Sequence, residues 1–338
     1  MKTFTIVLSE GCNLDCAYCG VDKRSTRTID PVKCLTELRA FYDQYPNDII
    51  EVGFFGGEPL MQMSLIRQLV DGMAGMDRIK KVMPTNGLLL TQQIVDYLVA
   101  NDFRVSVSFD GLWQDKNRLQ LTGKTTSKRL LDKVDLIKQL PDLRIHTMIT
   151  RGCYNLLENH LYIMREFGVN PELTLVRDVG TWTAHSVNRV IQGIDELFDW
   201  YIDNASSVEM PAFIMYYLRH FLNYHVRHHV KQNCGAGLST QFFDNDRVIP
   251  CTRFSKSPEL LDKITDFYVM SECSTCPVRN YCEKGCLIEQ IRNERPIEEL
   301  CTIYKFIYNK VSIMTSKLQQ NSTFQLTILK EIEDGSKH

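Results

Sequence analysis

Several features that mark particular classes of protein are missing from this chain of 338 residues. Its longest apolar runs, such as Phe4–Leu8, fall far short of the roughly 20 residues that a helix needs to cross a bilayer. The formal net charge is −2, so charge gives no reason to expect binding to nucleic acid or to an anionic membrane. Because no basic, apolar and cleavable signal opens the chain, we expect a cytoplasmic protein.

Internal repeats and low-complexity tracts are also absent. The hydrophobic residues, at 44%, are numerous enough to form a core, so disorder is excluded for most of the chain. At roughly 100–200 residues per domain, the length predicts about two domains.

Cysteine is the residue type that stands out, with twelve in the chain. In a small secreted protein this number would indicate disulfides, but this chain is long and its expected compartment is reducing. Clustered thiols then indicate ligands of a metal or an iron–sulfur cluster, or redox centres. Ten of the twelve form two groups, whereas Cys34 and Cys153 stand alone. For these two we expect the role of small buried hydrophobic side chains.

Up to about residue 178, short apolar runs alternate with longer amphipathic stretches. The predicted strands are Thr3–Ser9, Glu51–Phe55, Lys81–Pro84, Arg104–Phe109, Arg144–Thr150 and Glu172–Val176. The predicted helices between them are Pro31–Tyr45, Ser64–Gly75, Thr91–Asn101, Thr126–Gln139 and Leu156–Phe167. This alternation predicts an α/β fold with a parallel sheet and crossover helices. The pattern leaves open whether the sheet is a partial barrel or doubly wound.

Three cysteines, Cys12, Cys16 and Cys19, follow the first predicted strand in a C-x3-C-x2-C pattern. Three thiolates on one loop can hold three irons of a [4Fe–4S] cluster and leave the fourth iron for another ligand. A structural zinc site needs a fourth Cys or His nearby, and none follows within about fourteen residues. A zinc loop or accidental thiols are therefore the weaker interpretations. The motif also falls at the carboxyl end of a strand, where ligands bind in α/β sheets.

This motif, with Tyr18 before the last cysteine, resembles the radical S-adenosylmethionine (radical SAM) superfamily. Further similarity follows at the ends of successive strands. The resemblance implies that Gly56, Gly57, Glu58 and Pro59 contact the amino group of SAM, that Ser108 and Asp110 contact its ribose, that Arg118 contacts its carboxylate, that Tyr18 lies against its adenine, and that Asn86 belongs to the same site. It covers about residues 3–178 and implies a partial (β/α)6 barrel similar to a TIM barrel.

A second group of seven cysteines lies in the last third of the chain, where zinc is the alternative to weigh. Its spacing resembles the SPASM domain of peptide-modifying radical SAM enzymes, a small Cys-rich domain that binds two auxiliary [4Fe–4S] clusters. The resemblance assigns Cys234, Cys251 and Cys286 to auxiliary cluster I, and Cys273, Cys276, Cys282 and Cys301 to auxiliary cluster II. Asp246 stands where that family usually has glycine, and we expect it to preserve the turn, since Asp tolerates a left-handed backbone.

The fourth ligand of auxiliary cluster I stays undecided among an open iron, a substrate, and His228 or His229. The rival interpretation of this histidine-rich segment, which also contains His220 and His225, is a solvated helix face. The predicted domains are a barrel at 1–185, a helical bridge at 186–230, a SPASM domain at 231–305, and a C-terminal helix and tail at 306–338.

The resemblance implies an enzyme that cleaves SAM reductively and abstracts hydrogen from a peptide or protein side chain. The expected outcome is a crosslink, an epimerisation or an oxidation in the maturation of a ribosomally made peptide, with flavodoxin or ferredoxin as electron donor. Since Cys12 lies near the start, leader recognition is expected to need a separate protein or another surface.

Three other roles have to be distinguished from this one. Formylglycine formation in sulfatases is disfavoured, because the sulfatase maturases carry an Asp that serves as a base directly after the second SPASM cysteine, and Thr252 stands at that position here. The first alternative is a radical SAM oxidase or dehydrogenase of a small molecule such as an aminosugar. The second alternative is a zinc- or cluster-binding scaffold without enzymatic activity.

Overall fold

The computed structural model describes residues 1–177, 181–228, 240–263, 273–282 and 285–335. They belong to two compact units. Unit 1 comprises Met1–Thr147, Glu166–Val169 and Gly235–Pro258, and unit 2 comprises Met148–Arg165, Asn170–Cys234 and Glu259–His338. The four predicted domain ranges stay a prediction. Within the described part of the chain, no helix combines the length and the apolar character needed to span a membrane.

The described segments contain ten strands and twelve α-helices. The strands are β1 (Lys2–Val7), β2 (Leu14–Cys16), β3 (Ile50–Phe55), β4 (Ile79–Thr85), β5 (Phe103–Ser108), β6 (Arg118–Gln120), β7 (Arg144–Ile149), β8 (Glu172–Leu175), β9 (Thr240–Asp244) and β10 (Arg247–Ile249). The helices are α1 (Pro31–Gln44), α2 (Met63–Gly72), α3 (Gln92–Ala100), α4 (Gln114–Asn117), α5 (Ser127–Leu131), α6 (Val134–Ile137), α7 (Leu156–Phe167), α8 (Ala184–Asn204), α9 (Ala212–Arg227), α10 (Leu287–Asn293), α11 (Glu298–Lys317) and α12 (Ser322–Gly335).

The main sheet confirms the predicted α/β class. Strands β1, β3, β4, β5 and β7 pair in that order, each parallel to the next. Strand β8 then borders β7, whose last two residues belong to unit 2. In a doubly wound sheet the strand order reverses at a switch point. Here the six predicted strands follow one another without a reversal, so the sheet is a partial barrel.

A hairpin from the cysteine-rich region extends this sheet on the opposite side. Strand β9 pairs parallel with β1, from Thr3 opposite Thr240 to Ile6 opposite Phe243, and β10 returns antiparallel to β9. The turn between them places Asn245 and Asp246 in the left-handed region, at φ 53° and 57°. The prediction that Asp246 preserves this turn is confirmed.

Asp246 also ties the hairpin to the start of α1. Its carboxylate accepts a hydrogen bond from the backbone N–H of Asp30 at 2.9 Å and lies 3.4 Å from the ammonium of Lys33. Asp30 in turn caps α1, because its side chain accepts from the backbone N–H of Val32. The structure thus couples a turn of the late hairpin to the first long helix of the barrel.

Two of the predicted helical stretches are interrupted. The single helix expected at Thr126–Gln139 is two short helices, α5 and α6, which bury Leu130 and Ile137 completely. The helical bridge predicted at 186–230 is divided between α8 and α9. Asn170 stabilises the break, since its side chain accepts from the N–H of Ala212 and donates to the carbonyl of Met210. Tertiary contacts of this kind are not visible in local helical periodicity.

Candidate active site

The cysteine loop, residues 12–19, leaves the carboxyl end of β1 within unit 1. Cys12 is buried, Cys16 is half-buried and Cys19 is exposed. The sulfur of Cys12 accepts a hydrogen bond from the backbone N–H of Leu14 at 3.4 Å. Burial raises the pKa of the Cys12 thiol, and burial raises the pKa of Cys16 to about 11 although the Arg118 cation opposes this shift. A thiol that binds a metal has to lose its proton.

A short antiparallel ribbon, β2 with β6, holds this loop against a later segment. Leu14 lies opposite Gln120, and Cys16 lies opposite Arg118. The backbone N–H of Ala17 continues the contact by donating to the carbonyl of Asn117 at 2.8 Å. Neither strand is predicted from the sequence, because three-residue strands separated by about a hundred residues leave no local pattern.

The turn after β3 approaches the segment that leads into the cysteine loop too closely for any residue but glycine. A Cβ atom on Gly56 would lie 2.2 Å from the carbonyl oxygen of Ser9, and one on Gly57 would lie 2.2 Å from the carbonyl oxygens of Glu10 and Gly11. Gly56 also has a φ of 147°. The backbone N–H of Gly57 donates to Ser9 at 2.8 Å. This turn is therefore fixed directly against the chain that leads into Cys12.

The buried carboxylate of Glu58 joins the turn after β3 to the turn after β4. It accepts hydrogen bonds from the backbone N–H of Leu60 at 3.1 Å, from the hydroxyl of Thr85 at 2.6 Å and from the backbone N–H of Asn86 at 2.7 Å. Burial raises its pKa, and these three donors partly offset that shift. The Glu58 side chain is thus engaged within the protein, and the backbone of the turn is what faces the loop.

Asn86 links this network to the cysteines. Its side-chain amide donates to the side-chain oxygen of Asn13 at 2.7 Å, and its own oxygen accepts from the backbone N–H of Leu88 at 3.1 Å. Asn13 directly follows Cys12. Neither Asn13 nor Thr85 is among the predicted site residues, although each lies next to a residue that is.

Asp110, just after β5, is the most connected acid of this edge. Its carboxylate accepts from the hydroxyl of Tyr18 at 3.0 Å and from the side-chain amide of Asn117 at 3.1 Å. It also pairs with Arg118, with both N···O distances at 3.1 Å. Burial lowers the pKa of Arg118, but the neighbouring Asp110 more than offsets this and raises it above its usual value.

The Arg118 guanidinium also lies over the ring of Tyr18, 5.3 Å from its centroid. Burial raises the pKa of the Tyr18 phenol far above its ordinary value, so this hydroxyl donates as a neutral group. Ser108 is half-buried at the end of β5, two residues before Asp110. The predicted SAM-contact residues thus lie at or after the carboxyl ends of β1, β3, β4 and β5 in unit 1, except Arg118, which begins β6 and pairs with Asp110. Their contacts with SAM stay a prediction.

The three thiols of the loop fit the ligand set of an iron–sulfur cluster in which one iron keeps a position for another ligand. Among the described residues, no three Cys, His, Asp or Glu side chains converge as the ligands of one metal ion would. The thiolates of a [4Fe–4S] cluster each bind a different iron, so they need no common point. Cys12, Cys16 and Cys19 could therefore hold three irons of such a cluster.

A second candidate centre is a pocket of about 450 Å³ in unit 2 that includes space open to solvent. Four cysteines line it: Cys273, Cys276, Cys282 and Cys301. Its other walls include apolar side chains, among them Val278, Ile297 and Leu300. Burial raises the pKa of the Cys301 thiol to about 11. These are the four residues that the family resemblance assigns to auxiliary cluster II, and four thiolates complete the ligand set of a [4Fe–4S] cluster.

The ligands predicted for auxiliary cluster I fall in different units or outside the described residues. Cys251 follows β10 in unit 1, Cys286 precedes α10 in unit 2, and Cys234 lies outside the described residues. His228 ends α9 in the left-handed conformation with an exposed side chain, and His229 also lies outside the described residues. This ligand set stays a prediction.

The solitary cysteines and the histidine-rich helix can also be placed. Cys34 and Cys153 are fully buried, as predicted for small hydrophobic side chains. His225 and His228 are exposed, as expected of a solvated face, but for His220 this expectation is wrong. The His220 ring is buried against Tyr216, and its Nδ1 lies 3.3 Å from the hydroxyl of Tyr308 on α11.

Comparison with known families agrees with this geometry. The model of the radical SAM superfamily matches residues 6–152. This protein contains a radical SAM domain. The match spans the cysteine loop, the turn after β3 and the Asp110–Arg118 pair, and it ends shortly after β7.

Individual proteins similar to this chain include the radical SAM cyclopropyl synthase TigE of Paramaledivibacter caminithermalis, which is 22% identical over 231 residues, or 62% of this chain and 48% of TigE. The serine-type anaerobic sulfatase-maturating enzyme of Bacteroides thetaiotaomicron is 29% identical over 141 residues, or 38% of this chain and 34% of that enzyme. This chain therefore matches about half or less of the length of these two relatives.

Among solved structures, native anSMEcpe with bound AdoMet and the Cp18Cys peptide has a TM-score of 0.75 and 18% identity. The alignment covers 96% of this chain and 99% of that one. At this level of identity the similarity establishes a shared fold, and it extends beyond the radical SAM domain to nearly the whole chain.

Proposed function

We propose that this protein is a radical SAM enzyme that cleaves SAM reductively and uses the resulting 5′-deoxyadenosyl radical to abstract hydrogen from a peptide or protein side chain. The observation that carries this proposal is the convergence of four motifs on one edge of the barrel. They are the three-thiol loop, the Gly56–Pro59 turn, the turn at Asn86 and the Asp110–Arg118 pair.

The [4Fe–4S] cluster held by Cys12, Cys16 and Cys19 supplies, when bound, the electron that breaks a C–S bond of SAM. Every other task belongs to the chain. The backbone carbonyls of the Gly56–Glu58 turn offer acceptors for the amino group of SAM, while Arg118 offers a cation for its carboxylate. The Tyr18 ring offers an apolar face for the adenine.

Two auxiliary [4Fe–4S] clusters complete the proposal. The pocket lined by Cys273, Cys276, Cys282 and Cys301 supports auxiliary cluster II, because it gathers a full set of thiols among apolar walls. Auxiliary cluster I rests on the resemblance alone. With the cluster of the cysteine loop, the loaded protein would hold about twelve irons.

A peptide substrate is supported by the near-complete fold similarity to a structure that contains a bound peptide. The expected role is the maturation of a ribosomally made peptide, with a flavodoxin or ferredoxin as electron donor and a separate protein or another surface for leader recognition. Formylglycine formation is disfavoured because Thr252, at the start of the 3₁₀ turn Thr252–Lys256, has no useful basicity. A cytoplasmic location remains part of the proposal.

The test is anaerobic reconstitution with iron and sulfide, reduction with dithionite, and measurement of 5′-deoxyadenosine formed from SAM. We expect the parent to produce it, and the variant C12A/C16A/C19A to lose it while keeping the auxiliary clusters, at about eight irons per chain. The matched control is C34A/C153A, because these two thiols lie outside both candidate centres. It should retain SAM cleavage and about twelve irons.

The outcomes separate the alternatives. A parent that binds zinc without sulfide and leaves SAM intact would favour the scaffold. Equal SAM cleavage by the parent and the triple variant would show that the cluster is assigned to the wrong thiols. SAM cleavage that is stimulated by an aminosugar and by no peptide encoded near the gene would favour the small-molecule oxidase.

A further inference from the structure

We propose that Asp110 is a positioning residue that holds the cysteine loop in its cluster-binding shape before SAM arrives. This inference rests on the proposed function and goes beyond the ribose contact that the resemblance implies for Asp110. It assigns the carboxylate a task in the protein that has not yet bound SAM.

The first observation is how completely this carboxylate is occupied. Asp110 has no exposed surface. One of its oxygens accepts from Tyr18 and Asn117 and lies 3.1 Å from Nε of Arg118, while the other accepts from Nη2 of Arg118 at 3.1 Å. Both oxygens are therefore bound by donors of this chain.

The second observation is where these donors come from. Tyr18 belongs to the cysteine loop and lies between Cys16 and Cys19, whereas Asn117 ends α4 and Arg118 begins β6 directly after it. The same two segments are joined by the β2–β6 ribbon, in which Cys16 lies opposite Arg118. Asp110 thus connects side chains of the same two segments whose backbones pair in the β2–β6 ribbon.

The third observation is that Asp110 is itself held in place. Its backbone N–H donates to the side-chain oxygen of Gln114 at 2.8 Å, and the Gln114 amide donates to the hydroxyl of Thr126 at 2.8 Å. That hydroxyl donates to the carbonyl of Arg118 at 2.7 Å, which closes a ring of contacts. Because its backbone is held in this way, the Asp110 carboxylate can orient Tyr18 and Arg118.

Charge explains why an acid is needed. The Arg118 side chain is only 8% exposed. A buried cation that loses its partner is strongly unfavourable, so the surrounding segment would rearrange to reach water. Because Arg118 lies on the strand that pairs with the cysteine loop, this rearrangement would displace Cys16.

The experiment compares cluster content in the absence of SAM. Asp110→Asn keeps the shape of the side chain but removes its charge, and we expect iron to fall from about twelve to about eight per chain. When SAM is added afterwards, the electron paramagnetic resonance signal that responds to SAM in the parent should be missing from this variant. Tyr18→Phe keeps the ring and removes only the hydroxyl. For this variant we expect iron loss to a chelator at least about threefold faster than in the parent, since one loop contact is missing.

Asp102→Asn is the matched control, because Asp102 is an exposed aspartate beside the opposite end of β5. It should retain the parent's iron content and spectrum. Asp110→Asn with full iron, an unchanged spectrum without SAM and only a raised KM for SAM would overturn the inference and leave the ribose contact as the role of Asp110.

If Asp110→Asn loses its fold, as judged by circular dichroism, Tyr18→Phe decides. A parent-like rate of iron loss in Tyr18→Phe then overturns the inference, and faster loss supports it. Failure of the proposed function is seen in the parent, which would then lack a cluster that responds to SAM. That result would overturn both proposals, whereas a normal parent with a normal Asp110→Asn variant would overturn only this one.

Discussion

We expect His160 to make the stability of unit 2 depend on pH. It lies on α7 with no exposed surface, and neither ring nitrogen has a hydrogen-bond partner among the described residues. The ring packs edge-on against Trp200 of α8, with centroids 6.1 Å apart. Burial lowers its pKa to about 4 from an ordinary value of 6.5. Because the charged form is so disfavoured, the folded protein holds this ring neutral.

The sign and size of the effect follow from proton linkage. Above about pH 6.5 the ring is neutral in both the folded and the unfolded chain, so pH has no effect through it. Between about 6.5 and about 4 only the unfolded chain takes up a proton, so the free energy of unfolding falls as the pH falls. From about pH 7.5 to about pH 5 the loss is about 2 kcal/mol, which corresponds to a decrease of about 4–8 °C in Tm.

His160→Leu removes the titrating group and keeps an apolar side chain of similar size. We expect the Tm of this variant, measured anaerobically by calorimetry on the loaded protein, to fall about 4–8 °C less than that of the parent over the same pH interval. His185→Gln is the control, since His185 is an exposed histidine on α8 of the same unit, and its pH dependence should match the parent's. Parallel curves for the parent and His160→Leu would refute the reasoning.

Three further predictions concern the candidate centres. Gly57→Ala should reduce SAM cleavage about a hundredfold, because the added Cβ would lie 2.2 Å from two carbonyl oxygens and displace the loop. The control Gly20→Ala, whose added Cβ would have no neighbour within 4 Å, should cleave SAM within about twofold of the parent rate. Equal rates for the two variants would contradict the close approach at Gly57. Cys301→Ala should lower iron to about eight per chain and leave the SAM-responsive signal intact, and full iron by elemental analysis would remove Cys301 from the ligands. Mass spectrometry of sulfatase peptides with Cys or Ser should detect no formylglycine, since Thr252 stands in place of the Asp that serves as a base in the sulfatase maturases. Formylglycine formation at a rate comparable with SAM cleavage would reverse this conclusion.

The predicted barrel strands agree with the structure to within one or two residues at most ends. Glu51–Phe55, for example, appears as Ile50–Phe55, and Leu156–Phe167 appears with the same bounds in α7. Strands covered on both faces appear as short apolar runs, and amphipathic helices between them have a different period, so both leave a local signal. The cysteine loop was equally accessible, because its three thiols lie within eight residues.

Contacts between distant segments were not accessible in the same way. The pairing of β9 with β1 and the ribbon of β2 with β6 join residues more than a hundred positions apart, and such short strands leave no repeating pattern. The burial of His220 depends on Tyr308 of α11, and the break between α8 and α9 depends on Asn170. None of these partners is close enough in sequence to enter a local pattern.

The sequence by itself determined the chemistry available to this protein, because the thiols, the glycine turns and the acidic and basic side chains are read directly from residue type and spacing. It also determined the α/β class, since alternating periodicity is a local property. Only the tertiary structure decided that Asp110 binds Arg118 and Tyr18, that Glu58 faces Asn86, and that four later cysteines line one pocket. The physical reason is that partners and burial are properties of neighbours in space, and these neighbours are chosen when the whole chain packs.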